Sequence, residues 1–175
     1  MLVLAAAGLV AVPVTAAAQL TGVENGEWHY LGGDAGHTRY LPVDQINASN
    51  FNQLEAAWEW SGASFGETTA RATPSYVDGV LYTVSGYPRH IVAIDATTGS
   101  TIWSHREPKT FRSEYSMRAS YGKGVAYAEI DGRGVVYVST PGFFLYALDA
   151  KTGVPLENWG RPSSRRGRRG RSPGC

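Results

Sequence analysis

Short apolar runs separated by turns that contain Gly and Asp are the clearest pattern along the chain. Residues 75–85 read S-Y-V-D-G-V-L-Y-T-V-S, so that two β-rich runs flank Asp78-Gly79. An Asp-Gly pair between two such runs is typical of a β-hairpin. The runs I-V-A-I-D at 91–95 and S-T-I-W-S-H at 100–105 follow, with the turn pair Thr98-Gly99 between them. We therefore predict four strands in this stretch.

The same order of elements recurs further along the chain. The later copies are D-G-R-G-V-V-Y-V-S-T at 131–140, F-L-Y-A-L-D at 144–149 and the turn pair Thr152-Gly153. The Gly-Val-hydrophobic-Tyr runs that begin at Gly79 and Gly134 lie about 55 residues apart, and the Ala-x-Asp-Ala-x-Thr-Gly phrases that begin at Ala93 and Ala147 lie about 54 apart. Two markers that agree on one spacing indicate an internal repeat.

A repeat of this length, made of short strands and Gly turns, is typical of β-propeller blades. A helical solenoid would need a period of about 3.6 residues, which is not visible. Blades bury their faces only against neighbouring blades, and about three are needed for stability. We therefore predict an all-β fold, a partial propeller of about two blades over residues 19–160, and expect it to be a piece of a larger ring. A complete small β-domain with a basic arm would leave strand edges exposed.

The two ends of the chain differ from its middle. Six of the 16 basic residues are arginines within residues 161–175, which leaves ten basic against 15 acidic residues elsewhere. The body is therefore mildly acidic, and no nucleic-acid partner is expected. We expect the Arg-rich tail to be disordered and to be an out-of-frame translation rather than a functional basic arm. Because Cys175 is the only cysteine, the body has no disulfide and no thiolate zinc site.

Residues 1–18 are apolar and end in Ala-Ala-Ala before Gln19. This pattern is typical of a secretory signal peptide, so the mature protein is expected in the periplasm or outside the cell. A transmembrane anchor is the alternative, but the stretch is shorter than the ~20 residues required and contains Pro13. We expect no membrane span.

The segment from Gly26 to Trp58 carries a family resemblance. It contains, in order, W-H-Y-L-G-G-D, T-R-Y-L-P and Q-I-N-A-S-N. Together with the repeated Ala-x-Asp-x-x-Thr-Gly phrase, it resembles the N-terminal part of the pyrroloquinoline-quinone (PQQ)-dependent alcohol and glucose dehydrogenases. The resemblance covers Gly26 to Gly160 and implies an eight-bladed propeller that binds PQQ and Ca²⁺.

This resemblance also implies an activity and partners. Such an enzyme oxidises an alcohol or sugar substrate by hydride transfer to PQQ and passes electrons to a cytochrome c or quinone. In the family the calcium ligands and the catalytic aspartate come from later blades, so this chain is expected to be an N-terminal portion that is inactive alone. The alternative is a non-catalytic propeller that binds proteins and shares only the repeat.

The repeated phrase resembles the family's tryptophan-docking motif. Thr-Gly supplies a tight turn, a preceding Asp can accept its N–H bonds, and a following Trp presents a flat ring and one N–H donor to the next blade. Trp103 comes four residues after Gly99, as the motif requires, whereas Trp159 comes six after Gly153. Either the second copy has a two-residue insertion or Trp159 has another role.

Two basic residues are the candidate PQQ contacts. Lys123 stands where the family resemblance places an arginine, and Arg71 stands near a cofactor-contacting side chain that is often acidic. The positive charge of each suits an anionic cofactor, but a solvated turn lysine and a surface arginine are equally ordinary interpretations. Met117 and Arg118 replace the adjacent cysteine pair of the alcohol dehydrogenases. The four scattered histidines, His29, His37, His90 and His105, have no metal-ligand spacing, so no metal site and no catalytic residue are assigned.

Overall fold

In the computed structural model, residues 21–66, 71–117, 119, 122, 124–157 and 159–160 are described. Residues 1–18, Lys123 and the tail 161–175, to which the sequence assigns a signal peptide, a cofactor contact and a disordered arm, lie outside these residues. The described part is almost entirely β-structure, with two antiparallel sheets, three short 3-10 turns and one short helix. The all-β prediction is confirmed.

The first sheet contains four strands in chain order: β1 (Ser75–Val77), β2 (Val80–Ser85), β3 (His90–Asp95) and β4 (Thr101–His105). The second contains β5 (Ala126–Ile130), β6 (Arg133–Ser139) and β7 (Leu145–Asp149). The sequence patterns predicted all of them except β5, and the helix α1 (Phe111–Glu114) between the sheets was not predicted either. Beside β7, Pro155 forms an isolated β-bridge with Leu148, the Asp149 N–H donates to Val154 O and the Leu156 N–H donates to Ala147 O.

The two hairpins turn where the sequence predicts. Asp78 and Gly79 have φ of 48° and 76°, and Asp131 and Gly132 have φ of 51° and 74°. A type I′ turn requires positive φ at both central residues, which Asp tolerates and Gly adopts freely. The Asp-Gly pairs therefore fix the start of each blade through backbone geometry alone.

The core lies between the two sheets. It combines buried side chains of both: Val77, Tyr82, Val84, Ile91 and Ala93 from the first, with Val136, Val138, Leu148 and Ala150 from the second. Because each sheet buries its apolar face against the other, the two sheets are consecutive blades of a partial propeller.

Candidate cofactor-facing segments and the contacts that hold them

The aspartate of each repeated phrase closes a Thr-Gly turn. Asp95 Oδ1 accepts hydrogen bonds from the Thr97 N–H at 2.9 Å, the Thr98 N–H at 2.7 Å and the Thr98 hydroxyl at 3.0 Å. Asp149 Oδ1 accepts the equivalent bonds from Thr152 N–H and hydroxyl, both at 2.9 Å. The predicted capping role of the aspartates is confirmed.

These hydrogen bonds also set the ionisation of the two carboxyl groups. The N–H and hydroxyl of Thr98, followed by the N–H of Thr97, hold the pKa of Asp95 below its usual value. Burial acts to raise the pKa of Asp149, but the bonds from Arg133 and Thr152 outweigh it and the pKa is lowered. Both carboxylates are therefore charged in the folded chain near neutral pH.

A tryptophan from the preceding segment covers each turn. The Trp103 indole N–H donates to Ala150 O at 2.9 Å, and a β-carbon on Gly153 would lie 2.5 Å from Cε3 of the ring. The Trp58 indole likewise donates to Ala96 O at 2.9 Å and stands over Gly99. The predicted docking of Trp103 on the next blade is confirmed. The role of Trp58 was missed because its 38-residue distance from Ala96 does not match the 47 residues from Trp103 to Ala150.

The segments that lead into β1 and β5 lie next to each other. A β-carbon on Gly124, before β5, would lie 2.7 Å from the carbonyl oxygen of Thr73, before β1. Gly124 has φ of 135°, which a residue with a side chain rarely adopts. Arg71 is exposed two residues before Thr73. The fold thus joins the segment that carries Arg71 to the residue directly after Lys123, whose own position lies outside the described residues.

Arg89, which the sequence analysis did not single out, makes further contacts between the two blades close to this junction of the segments before β1 and β5. Arg89 is half-buried in the turn between β2 and β3; its backbone N–H donates to Ala119 O at 2.8 Å and its guanidinium donates to Ser139 O at 2.7 Å. Arg89 therefore links the first blade to the segment before β5 and to β6. Burial lowers the pKa of Arg89, and the negative charge of Glu107 opposes this effect.

Glu107, which follows β4, is only 3% exposed. Its carboxylate accepts a hydrogen bond from the Thr140 hydroxyl at 2.5 Å and one from the Gly142 N–H at 2.9 Å. The carboxylate therefore holds the turn between β6 and β7 against the first blade. No motif signals this role, because a glutamate after a strand is usually solvated.

An open cavity of about 930 Å³, lined in part by Arg89, lies between α1 and the turn after β6. Its lining is mainly apolar and includes Phe111, Tyr115, Met117 and Phe143. Met117, which stands in place of a family cysteine, is fully exposed. The cavity offers a mainly apolar surface beside Arg89.

The histidines do not form a metal centre in the described part of the chain. His29 pairs with Glu27, and burial lowers the pKa of His90 and His105. Among the described residues no group of three His, Cys, Asp or Glu side chains is placed to hold a metal ion. The same residues include no helix long and apolar enough to span a membrane.

The junction suits one part of an anionic cofactor. Arg71 supplies an exposed guanidinium, which forms directed hydrogen bonds with carboxylates. A β-carbon on Gly122 would lie 2.9 Å from Arg89 Nε, and one on Gly124 would lie 2.7 Å from Thr73 O. The backbone of this segment therefore lies close to its neighbours. No calcium-ligand set is assigned within the described residues.

Comparison with known proteins identifies the class. Residues 28–165 match the family model described as the β-propeller domain of glucose/ethanol/alcohol dehydrogenases that use PQQ. This chain therefore belongs to the PQQ-dependent alcohol dehydrogenase family.

Individual relatives agree with this assignment. The quinohemoprotein alcohol dehydrogenase of Comamonas testosteroni is 38% identical over 129 residues, which cover 73% of this chain and 17% of that protein. A solved quinohemoprotein alcohol dehydrogenase from Pseudomonas putida HK5 superposes with a TM-score of 0.61 at 32% identity, over 81% of this chain and 20% of that one. A europium-containing methanol dehydrogenase gives a TM-score of 0.60 at 27% identity, over 74% and 22%. The chain thus spans about one fifth of the length of these relatives.

Proposed function

We propose that this chain forms the first two blades of an exported PQQ-dependent dehydrogenase and supplies one side of its cofactor site. The observation that carries the proposal is the contact between Thr73 and Gly124, which joins the segments of the two candidate residues. When bound, PQQ supplies the quinone that accepts hydride from the substrate. In this proposal Arg71 binds a cofactor carboxylate, and Lys123 adds a second positive charge.

The substrate proposed is an alcohol rather than a sugar. The cavity between α1 and the turn after β6 has Phe111, Tyr115, Met117 and Phe143 among its lining residues, together with the polar side chains of Arg89, Arg112, Ser116, Ser139 and Thr140. Most of the exposed lining surface is apolar, which favours the alkyl chain of an alcohol. The relatives compared above are alcohol and methanol dehydrogenases, which supports the same choice.

A chimera tests the proposal. Residues 28–160 replace the matching stretch of the Pseudomonas putida HK5 alcohol dehydrogenase, which is then loaded with PQQ and Ca²⁺. We expect dye-linked oxidation of 1-butanol well above that of glucose. Arg71→Ala should weaken PQQ binding by about tenfold, the usual effect of losing one charge-assisted contact, whereas Arg106→Ala, which removes an exposed arginine outside the cavity, should not. A folded chimera without PQQ-dependent alcohol oxidation would contradict the proposal.

Two further parts of the proposal can be measured on the chain itself. The purified 175-residue chain with PQQ and Ca²⁺ should reduce no dye, since in this family the later blades carry the calcium ligands and base. Turnover by the chain alone would show that these groups are not needed. Expression in a Gram-negative host should yield a periplasmic product that begins at Gln19, which N-terminal sequencing would establish.

A further inference from the structure

Phe143, in the turn between β6 and β7 (residues 140–144), combines two features that are costly for an aromatic residue. Its backbone has φ of 63°, a left-handed conformation that residues with bulky side chains rarely adopt. Its side chain is 81% exposed, so the ring gains little from burial within the described part of the chain. Residues in such conformations persist only where the surrounding structure holds them, and they are concentrated at ligand-binding and active sites. Phe143 is therefore a candidate ligand contact.

The buried carboxylate of Glu107 holds this turn in place. Its Oε2 accepts the Thr140 hydroxyl at 2.5 Å, and its Oε1 accepts the N–H of Gly142, directly before Phe143, at 2.9 Å. A β-carbon on Gly142 would lie 2.7 Å from Oε2, so the carboxylate lies against the turn itself. Within the turn, the Phe143 N–H donates to Thr140 O at 3.0 Å, and the Thr140 N–H donates to Phe144 O at 2.9 Å. These bonds fix the backbone on both sides of Phe143 and explain why it keeps a positive φ.

Phe143 lines the open cavity of about 930 Å³ between α1 and this turn. The volume is within the range of small-molecule sites, about 300–1,000 Å³. Phe111, Tyr115 and Leu145 also line the cavity, and their side chains are 77%, 69% and 59% exposed. An alkyl chain placed against these side chains would remove apolar surface of both partners from water, which is favourable.

We propose that Phe143 contacts the alkyl chain of the alcohol substrate and gives a preference for longer primary alcohols, and that Glu107 is the positioning residue that holds Phe143 in the cavity wall. This inference rests on the proposed function. Ethanol offers little apolar surface for such a contact, whereas 1-octanol offers enough to cover the ring. The quantity that reports the contact is therefore the ratio of kcat/KM for 1-octanol to kcat/KM for ethanol.

The chimera that carries residues 28–160, loaded with PQQ and Ca²⁺, tests the contact. Phe143→Gly removes the ring together with the backbone cost, because glycine adopts positive φ freely, so this variant is expected to fold. The ratio should fall by about tenfold, the lower end of what one apolar contact in a binding pocket contributes, mainly through a higher KM for 1-octanol. Phe51→Ala is the matched control, since Phe51 is 68% exposed and does not line the cavity. It should leave the ratio unchanged.

A double-mutant cycle tests the role of Glu107. Glu107→Gln keeps the size of the side chain but leaves one oxygen for two donors, so it should lower the ratio by less than Phe143→Gly does. Because Glu107 acts through Phe143, it should have no further effect on the ratio when Phe143→Gly is also present. A merely structural role would change the ratio equally in both backgrounds. If the Glu107→Gln chimera does not fold, Thr140→Val, which removes one of the two bonds, gives the same comparison.

The outcomes separate this inference from the proposed function. An active chimera whose ratio is unchanged by Phe143→Gly would overturn the contact and leave the proposed function standing. A folded chimera without PQQ-dependent oxidation would contradict the proposed function instead. Ligand-observed NMR of 1-octanol with the 175-residue chain then decides the contact. Weaker binding by Phe143→Gly supports it, and unchanged or absent binding overturns it.

Discussion

Replacement of Trp103 separates the two contributions of the contact between blades. Trp103→Phe keeps an aromatic ring near Gly153 and Tyr82 but removes the indole donor to Ala150 O. Trp103→Ala removes the ring as well. Comparison of the two variants therefore measures the hydrogen bond and the packing independently.

The structure sets the expected magnitudes. Ala150 O also accepts a hydrogen bond from the Tyr82 hydroxyl at 3.3 Å, so the phenylalanine variant does not leave this carbonyl without a donor. We expect its free energy of unfolding to fall by about 1 kcal/mol, the usual net value of one hydrogen bond. Truncation of a buried tryptophan to alanine costs about 3–5 kcal/mol, and because Trp103 is only half-buried we expect about 3 kcal/mol.

Urea unfolding of the chain, followed by circular dichroism, measures these free energies without relying on tryptophan fluorescence. Hydrogen exchange at residues 150–153 reports whether the second turn loosens in each variant. The matched control is Ile102→Ala on the same strand, where the side chain is 49% exposed and contributes little. Equal losses for the phenylalanine and alanine variants, or a loss for Ile102→Ala as large as for Trp103→Ala, would refute the reasoning.

Two more predictions concern the same turns. Gly153→Ala should lower the free energy of unfolding by more than Gly132→Ala. Both glycines have positive φ, which costs alanine about 1–2 kcal/mol, but only at Gly153 would the new β-carbon collide with a ring, that of Trp103. Equal losses in urea unfolding would contradict the ring contact. The lowered pKa of Asp95 contributes stability above the ordinary Asp pKa of about 4, and this contribution is lost as the pH falls through the lower folded value. Asp95→Asn should therefore lower the Tm at pH 7, and its difference from the unmodified chain should shrink in acid; thermal melts that keep a constant difference down to about pH 2, below the ordinary Asp pKa, would contradict this.

Local chemistry made much of the fold predictable. The Asp-Gly and Thr-Gly turns depend on φ preferences and side-chain hydrogen bonds that act within four residues, and the structure has them where the sequence places them. Strand β5 was harder to find because its sequence, A-Y-A-E-I, contains only one β-branched residue, and none of its five positions is fully buried. The candidate residue Arg71 came from the family resemblance, and the approach of Thr73, two residues after it, to Gly124 came from the structure.

The sequence by itself determined the repeat, the hairpins and the turns that the tryptophans cover, because each depends on neighbouring residues. Only the tertiary structure decided which turn each tryptophan covers, since the contacts of Trp58 and Trp103 join residues 38 and 47 positions apart. It also decided that Glu107 is buried and that the ring of Trp159 packs on Tyr137. The physical reason is that these contacts form only when two sheets pack face to face, and no short-range preference specifies the partner.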